Sequence, residues 1–196
     1  MTELPMATPL AITGDADSDR LLNENSLALL LGMLLDQQVP MEWAFRGPAT
    51  LNERIGALDA KAIVEAGPDA LTAAFVDKPA LHRFPGSMAT RAYALCEFIV
   101  DNYGGEADAI WRDVDSGQEL YKRLRALPGY GDEKAKIFLA MLAKRFDVRP
   151  AGWQEAAGAF GDDIPRSVAD IDGPDSLAKV REWKKAQKAK GKSKQA

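Results

Sequence analysis

Cysteine and histidine are nearly missing from this chain: Cys96 and His82 are the only examples in 196 residues. A single cysteine excludes an intrachain disulfide and an iron–sulfur cluster held by four thiolates. A single histidine leaves little material for a His-rich metal site or a His-based triad, so no metal site is expected. Long apolar runs are also absent. The longest, Ser26 to Leu35, falls well short of the roughly 18 residues of a membrane span and reads as a buried helix. The opening Met-Thr-Glu-Leu-Pro has no basic region of the signal-peptide kind. These absences give the expectation of a cytoplasmic protein without a membrane partner. No stretch alternates apolar and polar residues long enough to read as a strand, and there is no internal repeat.

Charge of both signs is plentiful but segregated. The net charge is −4, yet residues 177–196 hold eight Lys/Arg against one Glu, a balance of +7 that leaves −11 on the rest. An acidic body argues against broad, non-specific DNA affinity. Contact with DNA would then fall to a local patch, backbone groups or the Lys-rich tail, which reads equally well as a solubilising tail.

Helix punctuation covers nearly the whole chain. Asp17 or Ser18 could cap a helix over Asp19–Leu22, and Asn25 one over Ser26–Gln37 with Leu27, Leu30, Leu31, Leu34 and Leu35 at helical spacing. Pro40 opens another with Trp43, Ala44 and Phe45 toward the core, and Gly47-Pro48 is expected to break it. Short helices follow over Asn52–Leu58, Asp59–Ala66 and Pro68–Val76. Ser87 starts a longer one through Val100, a region in which Cys96 reads as a small core residue. Trp153–Phe160 resumes as helix after a loop, and Ser176 caps a final helix that runs into the Lys/Ala tail, fraying beyond about Ala186.

The densest signal is Leu127-Pro128-Gly129-Tyr130-Gly131-Asp132-Glu133-Lys134-Ala135, set between amphipathic runs at Gln118–Ala126 and Lys136–Phe146. Two helices joined by Pro-Gly-x-Gly form a helix-hairpin-helix, and the same pattern also serves as an ordinary tight turn. Glycine permits a tight turn and a close approach of bare backbone to phosphate, while the second helix would point its N–H groups and dipole at the anion.

With these segments in place, the chain resembles the helix-hairpin-helix (HhH-GPD) superfamily of base-excision DNA repair proteins and DNA glycosylases. Four segments match in the family's order: Gly32 to Val39 with its Leu-x-Gln-Gln helix end; Phe84-Pro85-Gly86 with Arg91-Ala92, Leu95 and Tyr103-Gly104-Gly105; the hairpin; and Asp147-Val148-Arg149-Pro150-Ala151. The resemblance covers roughly Asp19 to Phe160. It implies an all-α, two-lobed helical bundle of the HhH-GPD glycosylase type over 15–175, with the hairpin motif at 118–146 and a C-terminal helix and basic tail at 176–196. It further implies a monofunctional DNA glycosylase acting on duplex DNA that contains a lesion. The chain departs from the family at the catalytic Asp: counting from Glu133 lands on Ala151, and the nearest carboxylates are Asp147 and Glu155. The position of the Schiff-base Lys of bifunctional members is Glu133, with Lys134 adjacent.

Glycosidic cleavage builds positive charge on the sugar, which a carboxylate stabilises, after the base has left the stack. The resemblance therefore makes Asp147 and Glu155 the candidate carboxylates, although an Asp at a helix end commonly caps a loop. Gln37 and Gln38 become candidates for the gap left by the base, or else cap their helix; Asp36 beside them reads as solvent-facing. Trp153 and Trp43 are candidates for the base pocket, or else core. Leu127, Gly129, Tyr130, Gly131, Lys134 and Lys136 would meet the DNA backbone, where a monovalent cation could also sit. No other cofactor is expected. Two alternatives stay open: a non-catalytic protein that recognises damaged or distorted DNA, and a helical adaptor for protein contacts.

Overall fold

The computed structural model describes residues 8–193 and Gln195. The described residues are all-α: ten α-helices and three short 3-10 turns, with one isolated β-bridge between Ser116 and Ala151 and no strand. They divide into two compact units. One comprises Thr13–Asp113 with Ala126–Tyr130; the other comprises residues 8–12, Val114–Arg125 and the described residues from Gly131 onward.

The first unit is built around α2 (Ser26–Leu35), in which every residue from Leu27 to Leu35 is buried. A helix apolar all round cannot lie at a surface, so its neighbours wrap it. Asn25 caps it, its side chain accepting from the Ala28 N–H at 2.9 Å. α1 (Ala16–Glu24) and α3 (Met41–Ile55) pack on it. Two glycines make the α2–α3 approach close. A Cβ on Gly32 would lie 2.7 Å from the Phe45 ring, and one on Gly47 2.7 Å from Leu35. Then come α4 (Ala60–Ala66), α5 (Pro68–Val76) and α6 (Pro85–Tyr103), which pack on one another.

Several expectations are corrected here. Gly47-Pro48 does not break α3, which continues to Ile55. Burial of Ala44, Phe45, Gly47, Pro48 and Leu51 on one face outweighs the roughly 3 kcal/mol that an interior proline costs. Trp43 does not face the core: it is 42% exposed, because it precedes the buried Ala44 and so lies on the flank of the helix. α1 is longer than expected and is capped by Asp15, whose carboxylate accepts from the Ser18 N–H and hydroxyl. α6 begins at Pro85, two residues ahead of Ser87.

The second unit centres on α8 (Asp132–Arg145), with Ile137 to Ala143 buried. α7 (Gly117–Ala126) precedes the hairpin turn; α9 (Trp153–Ala157) and α10 (Pro174–Ala189) follow α8. α9 is shorter than expected and gives way to a 3-10 turn at Gly158–Gly161. α10 begins at Pro174; Ser176 serves from its third position, its hydroxyl accepting the Gly173 N–H at 3.1 Å. The helix persists past Ala186 to Ala189.

Candidate nucleic-acid interface

The hairpin turn owes its shape to burial. Tyr130 is 3% exposed and its hydroxyl donates to the Leu30 carbonyl at 2.8 Å; burial pushes that hydroxyl's pKa well up. Leu127 is buried as well. Both side chains anchor the turn in the core. Gly129 takes φ +83°, the left-handed region where glycine is favoured, and a Cβ there would strike the Leu34 side chain.

Gly131 behaves differently. Its φ of −77° and ψ of 179° suit any residue, and a Cβ would meet nothing within 4 Å. It is exposed and sits at the N-cap of α8, where no side chain caps the helix. The first turn of α8 carries its own anion. Asp132 accepts from the Tyr121 hydroxyl at 2.6 Å and pairs with Lys136 at 3.1 Å, contacts that lower its pKa below the usual carboxylate value, the tyrosine contact most. Lys136 is thus committed to Asp132. Lys134 is half-buried on the same turn.

In the first unit, the structure assembles a small polar hollow of about 150 Å³ after α2, lined by Gln37, Gln38, His82, Phe84, Met88 and Arg91. Gln37 is tied down: its amide donates to the Leu34 carbonyl at 3.0 Å and accepts from Arg91 at 3.0 Å. These bonds close α2 at Leu35, two residues earlier than expected. Gln38 is exposed, with φ +58°. Beside it Phe84, 45% exposed, lies under the Arg83 guanidinium at 5.4 Å from the ring centroid. Sequence reasoning passed over Phe84 as a site residue, because nothing in Phe-Pro-Gly reveals that the aromatic precedes the helix and stays outside it.

In the second unit, Asp147 has φ +58° and ends α8, the position more often held by glycine. Its carboxylate is 48% exposed and pairs with Arg149 at 3.2 Å; Arg149 also donates to the Ala143 carbonyl. Glu155 is exposed in the first turn of α9. Arg149 and Trp153 line a groove of about 800 Å³ with Arg145, Asp170, Asp172 and Lys179, whereas neither Asp147 nor Glu155 is on its wall. Trp153 is half-buried, held where the Ala151 carbonyl accepts the Gly117 N–H at 2.7 Å. Trp43 belongs to the first unit and Trp153 to the second.

The groove's own carboxylates were not among the expected site residues. Asp170 accepts from Lys144 at 2.6 Å and from the Arg166 and Ser167 N–H groups, a structural commitment that Ser167-x-x-Asp170 already signals as a capping box. Asp172 is held below the usual carboxylate pKa, first by Ser176 and also by Arg145. Among the described residues no group of three or more His, Cys, Asp or Glu side chains could hold a metal ion, and no helix is long and apolar enough to cross a membrane. No protein-family model matches the chain, and no curated protein sequence matches it at a significant level.

Proposed function

We propose that this chain is a base-excision DNA repair protein of the helix-hairpin-helix (HhH-GPD) type, and a monofunctional DNA glycosylase. The observation that carries the reading is Gly131. Packing does not require a glycine there, backbone conformation does not require one, and the residue stands exposed at the uncapped start of a 14-residue helix. A missing Cβ at that place is useful to a ligand that must approach the backbone, and phosphate is the ligand a helix start favours. Gly129, by contrast, is explained by the turn alone.

In this reading Asp147 supplies the negative charge that stabilises the sugar as the base departs, with Arg149 orienting its carboxylate. Gln38 and Phe84 stand exposed together and would meet the gap or the neighbouring base. Trp153 would stack on an extruded base from the groove it lines. The test is base release from lesion-containing duplexes: Asp147→Asn is expected to abolish release while DNA affinity stays unchanged, and unaltered turnover would remove Asp147 from the chemistry.

One observation favours a second reading, recognition of damaged DNA without cleavage. Asp147 and Glu155 both lie off the wall of the groove that holds Trp153.

A further inference from the structure

We propose that the flank of α10 formed by Arg181, Lys185 and Lys188, continued by Lys192, binds the phosphate backbone of nucleic acid. The inference shares with the preceding reading the class of ligand but concerns a separate surface. These four residues follow one another at steps of four, three and four, so the three on the helix fall on one side of it. With a rise of about 1.5 Å per residue, Lys185 lies about 6 Å along the axis from Arg181, and Lys188 about 4–5 Å farther. Phosphates advance about 3.4 Å per step along a strand, so successive basic side chains reach phosphates one or two steps apart.

All four residues are exposed, and Lys185 and Lys188 form no salt bridge among the described residues. Like charges four residues apart weaken an isolated helix, whereas a bound polyanion turns the same spacing to advantage. The chain outside residues 177–196 carries −11, so this is where a polyanion would be drawn.

An adjacent side of α10 fixes it to its unit: Val180 is fully buried, Trp183 is half-buried, and the Arg166 guanidinium lies 5.0 Å from the Trp183 ring centroid. The helix thus has no apolar face left to enter a lipid surface, which distinguishes it from an interfacial amphipathic helix. On its other flank Lys179 lines the groove with Arg145 and Arg149, where Asp170 and Asp172 pair with Lys144 and Arg145.

The test compares the full chain with K185Q/K188Q/K192Q, and with R20Q/K61Q/K78Q as a control that removes the same charge from the first unit. Binding to duplex DNA is followed by fluorescence anisotropy over a salt series, with circular dichroism to establish folding and base release scored in parallel. The slope of log K against log salt is expected to shrink by about 0.9 per lysine, about 2.7 in all, in the α10 variant and to stay unchanged in the control. An equal fall in both variants, or in neither, overturns the proposal; base release by the parent chain in that case leaves the glycosylase reading standing. An unbound duplex overturns it too, and then the absence of base release marks the separate failure of that reading. Vesicles of phosphatidylcholine and phosphatidylserine form the last arm. Their retention of the parent chain but not of the α10 variant, with an unchanged duplex slope, would assign the stripe to lipid headgroups and overturn the proposal.

Discussion

The buried imidazole of His82 donates from Nε2 to the Gln37 carbonyl at 2.9 Å, while its Nδ1 accepts the Phe84 N–H at 3.0 Å. Because Nδ1 accepts from a backbone N–H, the proton is assigned to Nε2. One neutral ring thus pins two exposed neighbours, Gln38 and Phe84. His82→Ala is expected to lose about 1 kcal/mol of stability, since it leaves the half-buried Gln37 carbonyl and the Phe84 N–H without these partners. Urea unfolding measures the loss. An unchanged midpoint would mean that water replaces the ring at no cost.

The two hairpin glycines should separate under mutation. Gly129→Ala meets Leu34 and a left-handed backbone, so about 1–3 kcal/mol of stability should go. Gly131→Ala meets open space in an extended conformation and should leave the unfolding midpoint within about 0.5 kcal/mol. If phosphate approaches Gly131, that second variant alone should bind duplex DNA more weakly while folding as well as the parent.

Gly117 sits against the backbone of Trp153: a Cβ would lie 2.5 Å from the Trp153 Cα and 2.7 Å from the Gly152 carbonyl oxygen. Backbone cannot swing aside as a side-chain tip can. Gly117→Ala is therefore expected to destabilise by about 1–3 kcal/mol and to shift Trp153. In a protein whose other tryptophans are replaced by phenylalanine, Trp153 emission should move to longer wavelength. An unmoved spectrum at reduced stability would mean that α7 yields instead.

Asp132 adds negative charge where a phosphate is expected. Its folded pKa is depressed, so its contribution to stability is present above the ordinary value of 3.8 and is lost as pH falls through the lower folded value. Asp132→Asn should flatten that acid limb of the stability curve. It should also tighten DNA binding, by removing charge from the helix start. Weaker binding would place the phosphate elsewhere.

Cys96 is fully buried, and burial, helped by the charge of Asp59, raises its thiol from the ordinary 9.0 to about 12. Stability from the neutral thiol is complete below about pH 9 and is lost as pH rises toward about 12. A disulfide reagent at mildly alkaline pH should leave the folded chain unlabelled and label it on unfolding in urea.

The all-α character was legible because helix starts are written locally. Asn25, Asp59 and Pro68 each stand where a helix begins, and α5 has the bounds its Pro and apolar spacing suggest. What escaped depends on partners distant in sequence. The persistence of α3 through Pro48 rests on Phe45 and Leu35 packing against Gly32 and Gly47 on facing helices. The fixing of Gln37 rests on Arg91 and on His82, 45 residues away. Tyr130 looked available because a turn between helices is usually exposed, yet its hydroxyl bonds Leu30, 100 residues earlier. The exposure of Trp43, by contrast, could have been read: with Ala44, Phe45, Pro48 and Leu51 on the inner face, position 43 falls outside it.

The decisive measurement incubates the purified chain and its Asp147→Asn variant with duplexes that each hold one lesion: uracil, hypoxanthine, alkylated adenine, oxidised guanine or a mismatch. Alkali cleavage reveals abasic sites, and binding is recorded alongside. Release of at least one base by the parent chain, lost in the variant at equal affinity, is the outcome a glycosylase requires. Binding without release would remove catalysis and leave recognition of damaged DNA. Neither binding nor release would contradict the nucleic-acid reading and point to a helical adaptor.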